Sequence, residues 1–137
     1  MKKEDLPTPD RQHRLDLWVR TDDGVVSWCD VSVSEPGRKT YLGLGSATKP
    51  GVAAKQAEAH KKSVWGARAP DGVMVMPLVL ETTGHIGESL SCFLELVQKS
   101  HPSGPGVWDL ITRISVTVAK YNVECVREAG RKACEAG

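Results

Sequence analysis

Residues 73–81, VMVMPLVLE, form an almost unbroken apolar run that ends on one acid. The run is too short for most core helices, so it reads as a strand buried on both faces, inside a layered fold with cover above and below. Pro77 in its middle cannot donate to a ladder and demands a sheet edge or a bulge. No stretch approaches the ~20 apolar residues of a membrane span. Met1-Lys2-Lys3-Glu4-Asp5 lacks the apolar core of a signal peptide, so the chain is expected to be soluble and intracellular.

The other elements arrange themselves around that strand. Residues 1–13 are polar, contain Pro7 and Pro9, and read as a tail; residues 14–137 are expected to form one domain. Leu15, Leu17 and Val19 alternate with Asp16, Trp18 and Arg20, and residues 25–33 continue the two-residue period, so two strands flank Thr21-Asp22-Asp23-Gly24. Residues 35–49 hold Pro36, Gly37, Gly43 and Gly45 and read as a long loop. Pro50 suits a first helical turn, residues 52–65 are rich in Ala, Lys, Gln and Glu, and Gly66 is placed to stop the helix. Residues 87–99 put Leu90, Phe93, Leu94 and Val97 on one helical stripe. From Val107 onward Ile111, Ile114, Val118, Tyr121 and Cys125 recur at helical spacing, although residues 114–118 (ISVTV) also suit a strand; helix is preferred. The order predicts an α/β or α+β domain, a small mixed β-sheet packed with helices.

The loop between the first two strands controls the chemistry. A three-residue loop of Asp22, Asp23 and Gly24, with Gly24 at positive φ, pairs Thr21 with Val25 and sets Asp16 opposite Asp30 on one face, Cβ atoms roughly 4.5–5.5 Å apart. Two carboxylates so placed repel, and a divalent cation is a common way to neutralise them. A two-residue Asp23-Gly24 loop would instead send the two acids to opposite faces. On the helix, positions three and four residues from Lys61 are Ala54, Ala57, Val64 and Trp65, so Lys61 lies on the face that docks on the sheet unless it snorkels outward. Lys55 and Lys62 have more polar surroundings, and Glu58 is in position to pair with Lys62 at i,i+4.

Arg14-Leu15-Asp16-Leu17, Cys29-Asp30-Val31-Ser32-Val33, Ala53-Ala54 through Glu58-Ala59-His60-Lys61 to Trp65, and Met76-Pro77-Leu78-Val79-Leu80-Glu81-Thr82-Thr83-Gly84 together carry a resemblance over most of residues 11–127. They resemble the restriction-enzyme-like endonuclease domain that follows the reverse transcriptase in site-specific non-LTR retroelements, a member of the PD-(D/E)xK nuclease fold. The resemblance implies a restriction-endonuclease-like fold and a metal-dependent DNA-nicking activity acting in the nucleus. It matches Asp16 and Asp30 to the two metal-holding acids, Lys61 to the helical lysine, and Trp65 to the aromatic position four residues on. Leu15 stands where the family has proline, Trp65 where it has tyrosine, and the Asp30–Lys61 spacer is longer. Ser32 occupies the place that the wider fold gives to the lysine. The implied cofactor is Mg²⁺ or Mn²⁺ and the implied partners are DNA and a reverse transcriptase domain; apart from the resemblance, no membrane contact and a monomeric chain are expected. The chain then reads as an isolated, decayed or co-opted segment of such an element; the alternative is a non-catalytic nucleic-acid or protein-interaction module derived from one.

Lys and Arg total 18 against 17 Asp and Glu, so a net charge of +1 cannot drive sequence-blind binding to a polyanion, and DNA contacts must be local. Arg38, Lys39, Lys49, Lys55 and Lys62 flank the Asp16/Asp30 face in sequence order and are the candidate phosphate contacts. The cysteines Cys29, Cys92, Cys125 and Cys134 lack zinc-ligand or disulfide-scaffold spacing; Cys29 and Cys92 are expected to pack inside. Residues 43–49 lack a phosphate-loop ending, and His60 and His85 have no triad partner, which leaves them surface or capping roles. Glu81 is expected to bind backbone amides of residues 82–84 or to act as an outer acid of the metal site, the structural role being favoured.

Overall fold

The computed structural model describes residues 15–135; the expected tail over residues 1–13 and Arg14 lie outside the described residues. In chain order the elements are β1 (Leu17–Arg20), β2 (Val26–Ser34), α1 (Lys39–Leu42), α2 (Val52–Gly66), β3 (Val73–Glu81), α3 (Glu88–Ser100) and α4 (Val107–Glu135). The sheet order is β1-β2-β3, with β1 antiparallel and β3 parallel to β2. This is an α+β domain in which a small mixed sheet is packed with helices, as the patterning predicts. The parallel β2/β3 pair needs a crossover, and α2 supplies it.

Alternation along the strands sorts the side chains onto two faces. Cys29, Met76, Leu78 and Leu80 join Leu90 and Leu94 of α3 in one core, against which Ile111, Ile114 and Val118 of α4 also pack. Val26 and Trp28 face the other way and join Trp65 of α2. β3 is an edge strand, which is how the sheet tolerates Pro77, paired in register with Asp30. Helix prevails over strand at residues 114–118, because Ile114 and Val118 share the stripe that meets the α3 core. No helix among the described residues is long and apolar enough to cross a membrane.

Several local details differ from the sequence reading. The 35–49 segment contains one helical turn, α1, tied by the Leu42 amide to the Arg38 carbonyl. Helix α2 takes in Gly66 as its last residue, and its N-cap is Gly51 at φ +81°, so Pro50 precedes the helix instead of opening it. Cys29 is fully buried but Cys92 is exposed, because it falls on the solvent side of the α3 stripe.

Candidate functional site

The β1/β2 turn adopts the three-residue form. Gly24 has φ +88°, the Gly24 amide donates to the Thr21 carbonyl at 2.9 Å, and the Thr21 amide donates to the Val25 carbonyl at 3.0 Å. The resulting register pairs Leu17 with Cys29, so one further step brings Asp16 opposite Asp30. The alternative two-residue loop is excluded.

Asp30 points toward α2. Its Oδ2 accepts hydrogen bonds from Lys61 Nζ and from Trp65 Nε1, both at 2.6 Å. Lys61 and Trp65 are four residues apart, so one helical face delivers both donors. Lys61 thus lies on the sheet-docking face and does not snorkel away: its side chain is 21% exposed and that of Asp30 14%. Trp65 is held by an edge-to-face contact with Trp28, ring centroids 6.1 Å apart. A pair this sheltered is screened less by solvent than a surface ion pair.

Asp16 is used differently. Hydrogen-bonded pairs alternate along an antiparallel ladder, so the Val31 amide would next meet the Leu15 carbonyl. Instead Val31 donates to Asp16 Oδ2 at 2.8 Å, and the carboxylate closes the ladder where β1 ends. Nothing in the sequence pattern signals this bond. The bonds to both acids fall on Oδ2, which leaves each Oδ1 outside them. Two hard carboxylate oxygens suit Mg²⁺ or Mn²⁺, which commonly take one or two protein carboxylates and complete the shell with water and substrate oxygens. Among the described residues no group of three or more His, Cys, Asp or Glu side chains is arranged to hold a metal ion.

Between β2 and α2 lies a cleft of about 400 Å³, lined by Asp30, Ser32 and Ser34 from β2, Tyr41 from α1, and Gln56, Ala57, His60, Lys61, Val64 and Trp65 from α2. The alternation 30, 32, 34 accounts for the β2 wall. His60, assigned on sequence to a surface or capping role, is exposed but lines this cleft. Tyr41 and Gln56 carried no sequence signal, because the α1 turn that presents Tyr41 was hidden in a Gly-rich stretch. Arg38, Lys39, Lys49, Lys55 and Lys62 are all exposed. Arg38 and Lys39 belong to the turn that carries Tyr41 to the cleft, whereas Lys55 and Lys62 lie on the far side of α2 from the lining residues Gln56, Ala57, His60 and Val64.

Two buried carboxylates hold the cleft walls. Glu81, only 2% exposed, accepts from the Ala54 amide at 2.9 Å through Oε1 and from the Thr83 hydroxyl at 3.2 Å through Oε2. It caps the positive end of α2, where Gly51 has no side chain to do so. Its role is structural, with the helix amide in place of the expected turn amides. Glu58 turns inward to accept from the Ser89 amide at 3.0 Å, capping α3 instead of pairing outward with Lys62. Gly87 is required where these parts meet, since a Cβ there would collide with Glu58 Oε1 and approach the Val79 carbonyl oxygen to 3.0 Å. No protein-family model, curated protein or solved structure matches the chain.

Proposed function

We propose that the β2/α2 cleft is the site of a metal-dependent endonuclease that nicks DNA, as the nuclease domains of site-specific retroelements do. The observation that carries the reading is Lys61 Nζ, 2.6 Å from Asp30 Oδ2 at the wall of an open cleft. An ion pair sheltered to this degree carries a desolvation cost that an apolar pair of similar size would avoid, and its place beside a second acid in register supports the reading. The restriction-endonuclease-like architecture belongs to the same proposal, as do a nuclear setting and a reverse transcriptase partner.

Asp16 and Asp30 would hold Mg²⁺ or Mn²⁺, whose chemistry is to lower the pKa of bound water and offset charge on the phosphate. Trp65 orients Asp30 through its indole N–H, the job of a hydrogen-bond donor at the position where the family has tyrosine. Lys61 presents a compact charge on a flexible stem, suited to neutralise a non-bridging phosphate oxygen as charge develops there. Arg38 and Lys39 hold the backbone beside the cleft without reading sequence.

A second reading has its own observation. Oδ2 of Asp30 already serves two donors and Oδ2 of Asp16 closes the sheet, so both acids also work as structural groups. On that reading the domain is a non-catalytic nucleic-acid or protein-interaction module. Metal titration separates the two. A metal-holding site gains about 2.7 kcal/mol of stability at one hundred times Kd, read as a rise in Tm that Asp16→Asn reduces. An unchanged Tm with Mg²⁺ and Mn²⁺ favours the module.

A further inference from the structure

Ser32 lies on the cleft wall between Asp30 and Ser34, on the strand face that meets α2. Its Oγ is shielded from solvent and has no hydrogen-bond partner, the one such side-chain atom among the described residues. A hydroxyl in that condition has lost water and gained nothing in return, a cost that alanine at the same position would not carry. Polar groups kept unsatisfied at a cleft wall are characteristic of positions where a ligand completes the bonding. The neighbours along the wall are Lys61, Tyr41, His60 and Gln56, a cation and hydrogen-bonding groups. Asp30, already paired with Lys61, is the acid on this wall that would face a metal ion, and the remaining donors match a phosphodiester, an anion with several acceptor oxygens, better than they match an apolar ligand.

We propose that the Ser32 hydroxyl is a substrate-contacting group of this cleft, donating a hydrogen bond to a phosphate oxygen of the bound nucleic acid. The inference rests on the nuclease reading for the identity of the ligand, but the contact itself does not require cleavage. Rotation about χ1 turns the hydroxyl toward the cleft without moving the backbone of β2, and the occupant of the cleft becomes the partner that the folded chain does not supply.

The test uses the full chain, a fluorescein-labelled DNA duplex for binding by anisotropy, and supercoiled plasmid with Mg²⁺ for nicking. Ser32→Ala is expected to raise Tm by about 3–5 °C, since an unsatisfied polar atom is removed, while weakening duplex binding ~5–10-fold. The KM for plasmid rises by the same factor and kcat stays within ~2-fold, and Ser32→Thr, which keeps a hydroxyl, restores binding. Ser32→Ala that binds duplex like the parent overturns the contact, and so does a fall in its Tm, which would reveal a structural bond. A parent protein that does not nick, with Ser32→Ala still losing duplex affinity, overturns the nuclease reading and keeps the contact. A parent that nicks, with Ser32→Ala unchanged in binding and KM, does the reverse; a parent that neither nicks nor binds overturns both.

Discussion

The two faces of one small sheet are built from different materials. The face toward α3 and α4 is closed by Cys29, Met76, Leu78, Leu80, Leu90 and Leu94, all nearly inaccessible and apolar. The face toward α2 is apolar at one end, with Val26, Trp28 and Trp65, and beyond it carries Asp30, Ser32, Ser34 and Glu81 on its strands and Glu58 and Lys61 on its helix. The first face is what hydrophobic burial alone would produce. The second keeps ions and hydroxyls that must each find a partner or remain a cost. Within it, Glu81 and Glu58 serve as helix caps, while Asp30, Lys61 and Ser32 line the open cleft. The difference separates polar groups that hold walls in place from those left facing the cleft.

Substitutions can sharpen that separation. The largest effect is expected from Leu78→Ala on the apolar face, a loss of about 3 kcal/mol in chemical denaturation, with nicking per folded molecule unchanged. Next is Glu81→Ala, about 2–3 kcal/mol, because the buried Ala54 amide loses its acceptor; Glu81→Gln, which keeps an oxygen, should lose only about 1 kcal/mol. If both variants lose the same amount, the charge at the α2 terminus is what matters. Smaller in stability is Trp65→Phe, expected to cost about 1–2 kcal/mol by removing one bond to a carboxylate, and to lower nicking without abolishing it.

Burial of Cys29 pushes its thiol up from 9.0 to about 11, while Cys92, Cys125 and Cys134 are exposed. Folding favours the neutral thiol, so the related stability is intact below pH about 9 and declines as pH rises toward 11. At neutral pH an aromatic disulfide reagent should therefore label three thiols in the native protein and a fourth only in denaturant. Four fast thiols would show that the apolar face opens. The smallest effect belongs to Arg38→Ala with Lys39→Ala, which should weaken unrelated DNA sequences equally and flatten the salt dependence by roughly two phosphate contacts.

Features set by local chemistry are legible in the sequence. Asp22-Asp23-Gly24 dictates its own turn, the turn dictates the register, and the register brings Asp16 to Asp30. Lys61 is legible for a related reason, because Ala54, Ala57, Val64 and Trp65 put it on the docking face, although the pattern leaves snorkelling open and only the bond to Asp30 decides. The rest depends on residues distant in sequence. Glu58 finds Ser89 across 31 positions and Glu81 finds Ala54 across 27, and no periodicity encodes such pairs. Cys92 is exposed against expectation because small, weakly polar cysteine suits either side of a stripe. Asp16 as a ladder stop depends on where β1 leaves the sheet, which its four-residue length conceals.

Conversion of supercoiled plasmid to the open circle, compared between the parent protein and Asp30→Asn, tests the central claim most directly. The asparagine keeps an acceptor for Trp65 and nearly the same shape, so fold and duplex binding should persist, checked by circular dichroism and anisotropy. The account predicts nicking by the parent that requires Mg²⁺ or Mn²⁺ and falls at least ~100-fold in Asp30→Asn. Nicking at the parent rate by Asp30→Asn, or by the parent in the presence of a chelator, would contradict it.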